Sequence, residues 1–284
     1  MSKEVPFELA EIKISTADGV TLFARSWKTA GIPKANIALI HGLGEHSGRY
    51  GHVAFSLNKR GFNVHSLDLR GHGRSEGTRC YANKIEEFYT DIDALLEHVR
   101  HQDEHAPVFF LGHSMGGLIA TLYVLRRQPD IRGLILSAPA LKAGDDISTV
   151  VIIIARVLGR LFPKLPLQQI DNRTISRDPK VLQDYDADPL NYRGGIRAGV
   201  GAAMLNAFDE IEQMREYLNQ PLLIMQGAND KLVNPDGGQS LYQAAKSEDK
   251  SYRLYDGLYH EIFNEPEQDL VLKELAEWLE ARIP

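Results

Sequence analysis

One serine, one aspartate and one histidine, each just past a short apolar run, carry the chemistry this sequence could do. Ser114 lies in Gly112-His113-Ser114-Met115-Gly116. Pro107-Val108-Phe109-Phe110-Leu111 before it reads as a buried strand. Leu118 to Leu125 after it reads as an apolar helix, ended by Arg126, Arg127 and Pro129. Strand, sharp turn and helix form the setting in which a serine hydroxyl is held up, strained and exposed, at the edge of a sheet. Glycine at 112 and 116 removes side chains that would collide with the neighbouring strand and helix.

A serine hydroxyl becomes a good nucleophile only when a base takes its proton. Of the ten histidines, His260 is the best placed, on an expected loop after the last strand. A carboxylate must fix the imidazole tautomer and stabilise its cation. Asp230, in Gln226-Gly227-Ala228-Asn229-Asp230, follows another strand and is preferred. Asp236, a candidate helix cap, and Asp256 remain rivals. The oxyanion of the tetrahedral intermediate needs backbone N–H donors. Met115 supplies one and the loop His41-Gly42-Leu43-Gly44 the other, through Leu43. His41 and His72 precede glycine in loop motifs and read as loop ties. No histidine or cysteine spacing suggests a metal, and no cofactor is expected.

These groups need a scaffold. Residues 7–15 and 21–28 read as strands around an Asp18-Gly19 turn. Further strands are expected at 35–41, 62–67, 134–137, 221–226 and 252–255. Helices are expected to about Arg60, where Gly61 closes the first, and at 84–101, 236–247 and 267–282. This alternation predicts an α/β fold with a mostly parallel sheet and helices on both faces. From about 140 to 215 the rhythm breaks into helical signals without a clear strand. The core is therefore assigned to 1–139 and 216–284, with 140–215 as a helical cap above the strand ends, where ligands bind in open α/β sheets.

The 284 residues have 43% hydrophobic and 25% charged content and a net charge of −6, ordinary for a globular protein. Without a basic run, nucleic acid is not an expected partner. The single cysteine, Cys80, reads as a packed residue and suits a reducing compartment. No signal peptide is seen in residues 1–6, and no stretch reaches the ~20 apolar residues that span a bilayer. A cytoplasmic protein is expected.

The motifs His41-Gly42-Leu43-Gly44-Glu45-His46-Ser47-Gly48-Arg49-Tyr50, Asp68-Leu69-Arg70-Gly71-His72-Gly73-Arg74-Ser75-Glu76-Gly77, Gly112 to Gly117 and Gln226 to Asp230 resemble the monoacylglycerol lipase and lysophospholipase group of α/β-hydrolases. The resemblance covers nearly the whole chain. It implies the α/β-hydrolase fold, the triad Ser114, Asp230 and His260, oxyanion donors at Leu43 and Met115, and a helical lid over an acyl tunnel. It also implies a polar pocket for glycerol at Glu45, Arg49, His113 and Tyr185, in which Arg49 either donates to the head group or mainly holds Glu45. A second histidine, three residues past the catalytic one in the mammalian enzymes, is Phe263 here. The expected activity is hydrolysis of monoacylglycerols through an acyl-enzyme. Lysophospholipase or general carboxylesterase activity is the alternative, and a non-catalytic hydrolase-fold binding protein the alternative of another class. An aminopeptidase is less favoured.

The lid helix is expected over 147–162. Ile147, Val150, Val151, Ile154, Val157, Leu158 and Leu161 share one broad face, expected to pack on the cap. Ile152 and Ile153 fall opposite, beside Arg156 and Arg160, and suggest peripheral contact with a membrane or lipid surface.

Overall fold

The computed structural model describes residues 7–144, 147–167, 169 and 171–283. Residues 1–6, where no leader is expected, lie outside that description. Eight strands form one sheet in the order β1-β2-β4-β3-β5-β6-β7-β8. They are β1 (Glu8–Ser15), β2 (Thr21–Lys28), β3 (Ala35–Ile40), β4 (Phe62–Leu67), β5 (Val108–His113), β6 (Gly133–Ser137), β7 (Leu222–Gly227) and β8 (Lys250–Tyr255). β1 and β2 form the expected antiparallel hairpin, with Gly19 at φ 86° in its turn. β2 meets β4 antiparallel, and every later pairing is parallel.

β4 lies on one side of β3 and β5 on the other. The chain thus reverses its direction of travel across the sheet at β3, and a crevice opens beyond the carboxyl ends of β3 and β5. Helices cover both faces. On one, α2 (Glu87–Gln102), α3 (Met115–Arg127) and part of α6 (Ala198–Met214) bury Phe88, Ile92, Leu118, Leu122 and Ile211 against the sheet. On the other, α1 (Gly51–Asn58) and α8 (Gln268–Glu280) bury Val53, Leu57, Leu275 and Trp278. β3, β5, β6 and β7 are buried on both sides, which explains their largely apolar runs. α2 starts at Glu87, later than the pattern from Ile85 suggests, because Ile85 packs into the core from the preceding turn. α7 (Pro235–Ala244) is capped by the side chain of Asn234, which accepts from Asp236 N at 3.0 Å, so the cap is not Asp236.

Between β6 and β7 stand α4 (Thr149–Leu161), α5 (Pro179–Ala187), α6 and short 3-10 turns. Among the described residues of this stretch there is no strand, only one isolated bridge between Pro166 and Arg197. The expected orientation of α4 needs correction. The broad apolar face looks outward: Val150 is 64% exposed and Leu161 63%, with Val151, Ile154 and Val157 also exposed. The inward side holds Ile152, Ala155, Arg156 and Gly159. A Cβ on Gly159 would stand 2.4 Å from Ala202 Cβ and 2.7 Å from the Ala198 oxygen, so small residues let α4 and α6 approach closely. Arg156 reaches across to Asp209 and the Leu205 carbonyl at 2.5 and 3.2 Å. Backbone proximity and that ion pair set the face, not the size of the apolar stripe. Ile153 alone of the expected outward pair is exposed.

Candidate active site

Ser114 stands between β5 and α3, with φ 54° and ψ −119°, a region that residues with side chains avoid. Its N–H donates to Ser137 O (3.0 Å) and its carbonyl accepts from Ala140 N (3.1 Å), so the end of β6 holds the strained turn. The glycines allow it. A Cβ on Gly112 would lie 2.6 Å from Gly116 O, inside α3, and one on Gly116 would lie 2.1 Å from Ile40 O at the end of β3.

Asp230 and His260 come from the turns after β7 and β8. Asn229 N donates to Leu258 O at 2.9 Å, and a Cβ on Gly227 would meet Tyr259 O at 2.2 Å, so the two turns are packed backbone to backbone. His260 Nδ1 lies 2.8 Å from Asp230 Oδ2. Gln226 also donates to that oxygen, and Leu232 N and Val233 N donate to Oδ1. Burial works against ionisation of Asp230, but the charge and hydrogen bond of His260 and the backbone donors outweigh it and hold the carboxyl below the usual range. Burial likewise disfavours the imidazolium of His260, and Asp230 more than restores it, leaving the pKa raised. An ionised acceptor at Nδ1 keeps the proton there and leaves Nε2 free to act as a base. The rival Asp256 is exposed, and Asp236 faces Lys142 instead.

Ser114 and His260 line one cavity of about 140 Å³, together with Leu43, Glu45, His113 and Tyr185. The hydroxyl and the imidazole share it without a hydrogen bond between them in this structure, as is common before substrate binds. Met115 is the first residue of α3, so its N–H has no carbonyl a turn back to bind. The Leu43 loop is held by Glu45, whose Oε1 accepts from Gly42 N and from the Tyr50 hydroxyl, each at 2.6 Å. It is also tied to the 140–215 stretch by His46 with Asp188 (2.8 Å) and by Tyr192 N donating to Gly44 O (2.7 Å).

Arg49 does not line the cavity. Its guanidinium donates to Glu45 Oε2 at 2.9 Å and to both oxygens of Glu261 at 2.5 and 2.7 Å, and stacks 4.8 Å from the Tyr185 ring centre. Burial disfavours the charge on Glu45, but Arg49 and His113 overcome it and hold the carboxyl down at about 2. Burial pushes His113 down to about 4, with His260, 4.8 Å away ring to ring, adding to the effect. The Tyr185 hydroxyl donates to Gly44 O at 3.4 Å. His41 and His72 are loop ties: His41 bridges Gly42 O and Leu69 N, and His72 bridges Arg70 O and the Cys80 thiol. Sequence reasoning missed Glu261, a cavity-lining carboxylate. Its signal is an acidic residue directly after His260 in a segment whose next two residues, Ile262 and Phe263, are core.

The sheet order and the sequence order of serine, aspartate and histidine define a serine hydrolase of the α/β-hydrolase class. Residues 31–267 match the family described as "Serine aminopeptidase, S33". The chain belongs to this family, within its monoacylglycerol lipase group. It is 37% identical over 270 residues to the monoacylglycerol lipase of Mycolicibacterium smegmatis, covering 95% of this chain and 96% of that one. The monoglyceride lipase of Homo sapiens is 37% identical over 269 residues, covering 94% and 89%. The crystal structure of Paleococcus ferrophilus monoacylglycerol lipase superposes with a TM-score of 0.81 at 32% identity, covering 97% of this chain and 99% of that one.

Proposed function

We propose that this enzyme cleaves monoacylglycerols to fatty acid and glycerol through an acyl-Ser114 intermediate. The observation that carries the reading is the 2.8 Å pair of His260 and Asp230 opening on the same cavity as the strained Ser114. His260 Nε2 takes the Ser114 proton as Oγ attacks the ester carbonyl. Leu43 and Met115 N–H groups receive the oxyanion. The imidazolium then gives its proton to the departing glycerol oxygen. Water, activated by the same nitrogen, releases the acid and restores the serine. Relatives named as monoacylglycerol and monoglyceride lipases support the substrate.

In this reading 1–139 and 216–284 are the catalytic core and 140–215 is a cap that walls the cavity with Ile175, Ile196 and Met204. Glu45, His113 and Tyr185 face the glycerol, and Arg49 serves them from behind. The outward apolar face of α4 rests on a membrane or lipid-droplet surface while the substrate enters. Among the described residues no helix is long and apolar enough to cross a membrane. The proposed mode is peripheral contact from the cytoplasmic side, through the exposed side chains of α4.

A second reading, an aminopeptidase, has one observation in its favour: Glu45 and Glu261 line the cavity with a single arginine between them, a setting for an N-terminal ammonium. The test is a panel of monoacylglycerols, lysophospholipids, a simple ethyl ester and alanine p-nitroanilide. Monoacylglycerol should give the highest kcat/KM, above the ethyl ester of the same acid, because unpaired polar groups in the pocket reject an alcohol without hydroxyls. Faster cleavage of the anilide would replace the lipase reading with the peptidase one.

A further inference from the structure

The loop after β8 carries His260, and its next residue faces the same cavity. Glu261 lines that cavity, whereas Phe263, two residues on, is buried in the core beneath α1 and α8. The lining divides by chemistry. Ile175, Ile196, Met204, Leu232 and Val233 are apolar; Glu45, His113, Tyr185 and Glu261 are polar. In the monoacylglycerol reading the acyl chain lies against the first group and the alcohol against the second.

The polar part has an uncompensated charge. Two carboxylates, Glu45 and Glu261, share one guanidinium, Arg49, which lies outside the lining. Arg49 keeps both ionised against the cost of burial. His113, the neighbouring ring, is held neutral by its own burial. Glu261 Oε1 accepts one hydrogen bond, from Arg49, and Oε2 accepts two, from Arg49 and Asn264. A carboxylate only accepts. It can take a further hydrogen bond from a hydroxyl but has nothing to offer a phosphate oxygen. Glu45 and Glu261 are both buried, so salt screens the resulting repulsion poorly.

We propose that Glu261 is a specificity-determining residue: with Glu45 it makes the head-group wall anionic, admitting hydroxyl-bearing neutral alcohols and rejecting phosphate-bearing ones. The proposal rests on the monoacylglycerol reading and narrows it, by setting lysophospholipids apart from glycerol esters.

The test uses soluble substrates, so that surface docking plays no part: monobutyrylglycerol and monobutyrylglycerol phosphate, with p-nitrophenyl butyrate as reference. The wild type should favour the uncharged glycerol ester over the phosphate ester by about a hundredfold in kcat/KM. Glu261→Gln removes one charge and should cut that ratio at least about tenfold, whatever it does to the absolute rates. Glu261→Asp keeps the charge and should keep most of the ratio. Equal cleavage of the two esters by the wild type overturns the proposal. So does an unchanged ratio in Glu261→Gln, or an equal loss in Glu261→Asp, which would assign the preference to shape. Should Glu261→Gln fail to fold, the wild-type ratio and Glu261→Asp still decide. Failure of the underlying reading looks different: p-nitrophenyl butyrate would be cleaved and monobutyrylglycerol would not.

Discussion

Gly116 lies directly beneath the carbonyl of Ile40, so close that a Cβ would stand 2.1 Å from its oxygen. The obstacle is backbone at the end of β3, just before the loop with Leu43, and it cannot rotate aside. Gly116→Ala should therefore push α3 away from β3 and cost about 1–3 kcal/mol by overpacking. The displacement separates Met115 N–H from Leu43 N–H, so kcat should fall as well. Urea unfolding and steady-state kinetics on a short-chain ester check both. An unchanged unfolding midpoint would show that the helix has room to move.

Ser114→Ala should remove at least about a thousandfold of kcat, since the covalent step is lost while binding and the oxyanion donors remain. The side chain fills no core, so the thermal midpoint should stay within a few degrees. His260→Ala should be nearly as severe, and the double variant little worse than either, because the residues act as a unit. Multiplicative losses in the double variant would separate the two roles.

The pH profile follows from His260. The base must be neutral, and Asp230 raises its pKa above the ordinary 6.5. The acid limb of kcat/KM should therefore have its midpoint above pH 6.5. Folding linkage runs the other way: with a folded pKa above the unfolded one, the contribution that His260 makes by holding its proton is complete below pH 6.5. It is lost as pH rises through the folded value. Asp230→Asn should move the kinetic midpoint down as it lowers the rate. A wild-type midpoint at or below 6.5 would contradict the coupling.

The outward face of α4 gives a third kind of test. Each apolar side chain withdrawn from water contributes on the order of 1.5–3 kcal/mol. Replacing Val150, Val157 and Leu161 with serine should weaken vesicle binding at least about tenfold, even at a fraction of that figure per residue. Cleavage of a soluble butyrate ester should change little. Ile152→Ser, on the inward side of α4, should instead lower the melting temperature. Unaltered partitioning of the triple variant would exclude this face as the docking surface.

Much of the candidate site's geometry was legible in the sequence because it is written in local signals. The two glycines about Ser114 predict contacts that the backbone then makes, and Asp230 and His260 sit one turn past their strands. What was illegible depends on partners far along the chain. The face of α4 could not be read from its own stripe, since Ala198, Ala202 and Asp209 on α6 decide which side turns inward. Glu261 escaped notice because its meaning comes from Arg49, which the fold brings to it from the turn after β3, 212 positions earlier in the chain. The same pairing keeps Arg49 out of the pocket lining and against Glu45, the second of the two places expected for it.

Cys80 offers a practical handle. It is the one cysteine in the chain, buried beside His72, and burial pushes its thiol up to about 12. At neutral pH it is a thiol without solvent contact, a poor target for maleimides. The natural protein is thus already close to a cysteine-free background for site-selective chemistry. A cysteine introduced at Val157 would take a dye almost alone, and an environment-sensitive fluorophore there would report whether this surface leaves water when vesicles are added.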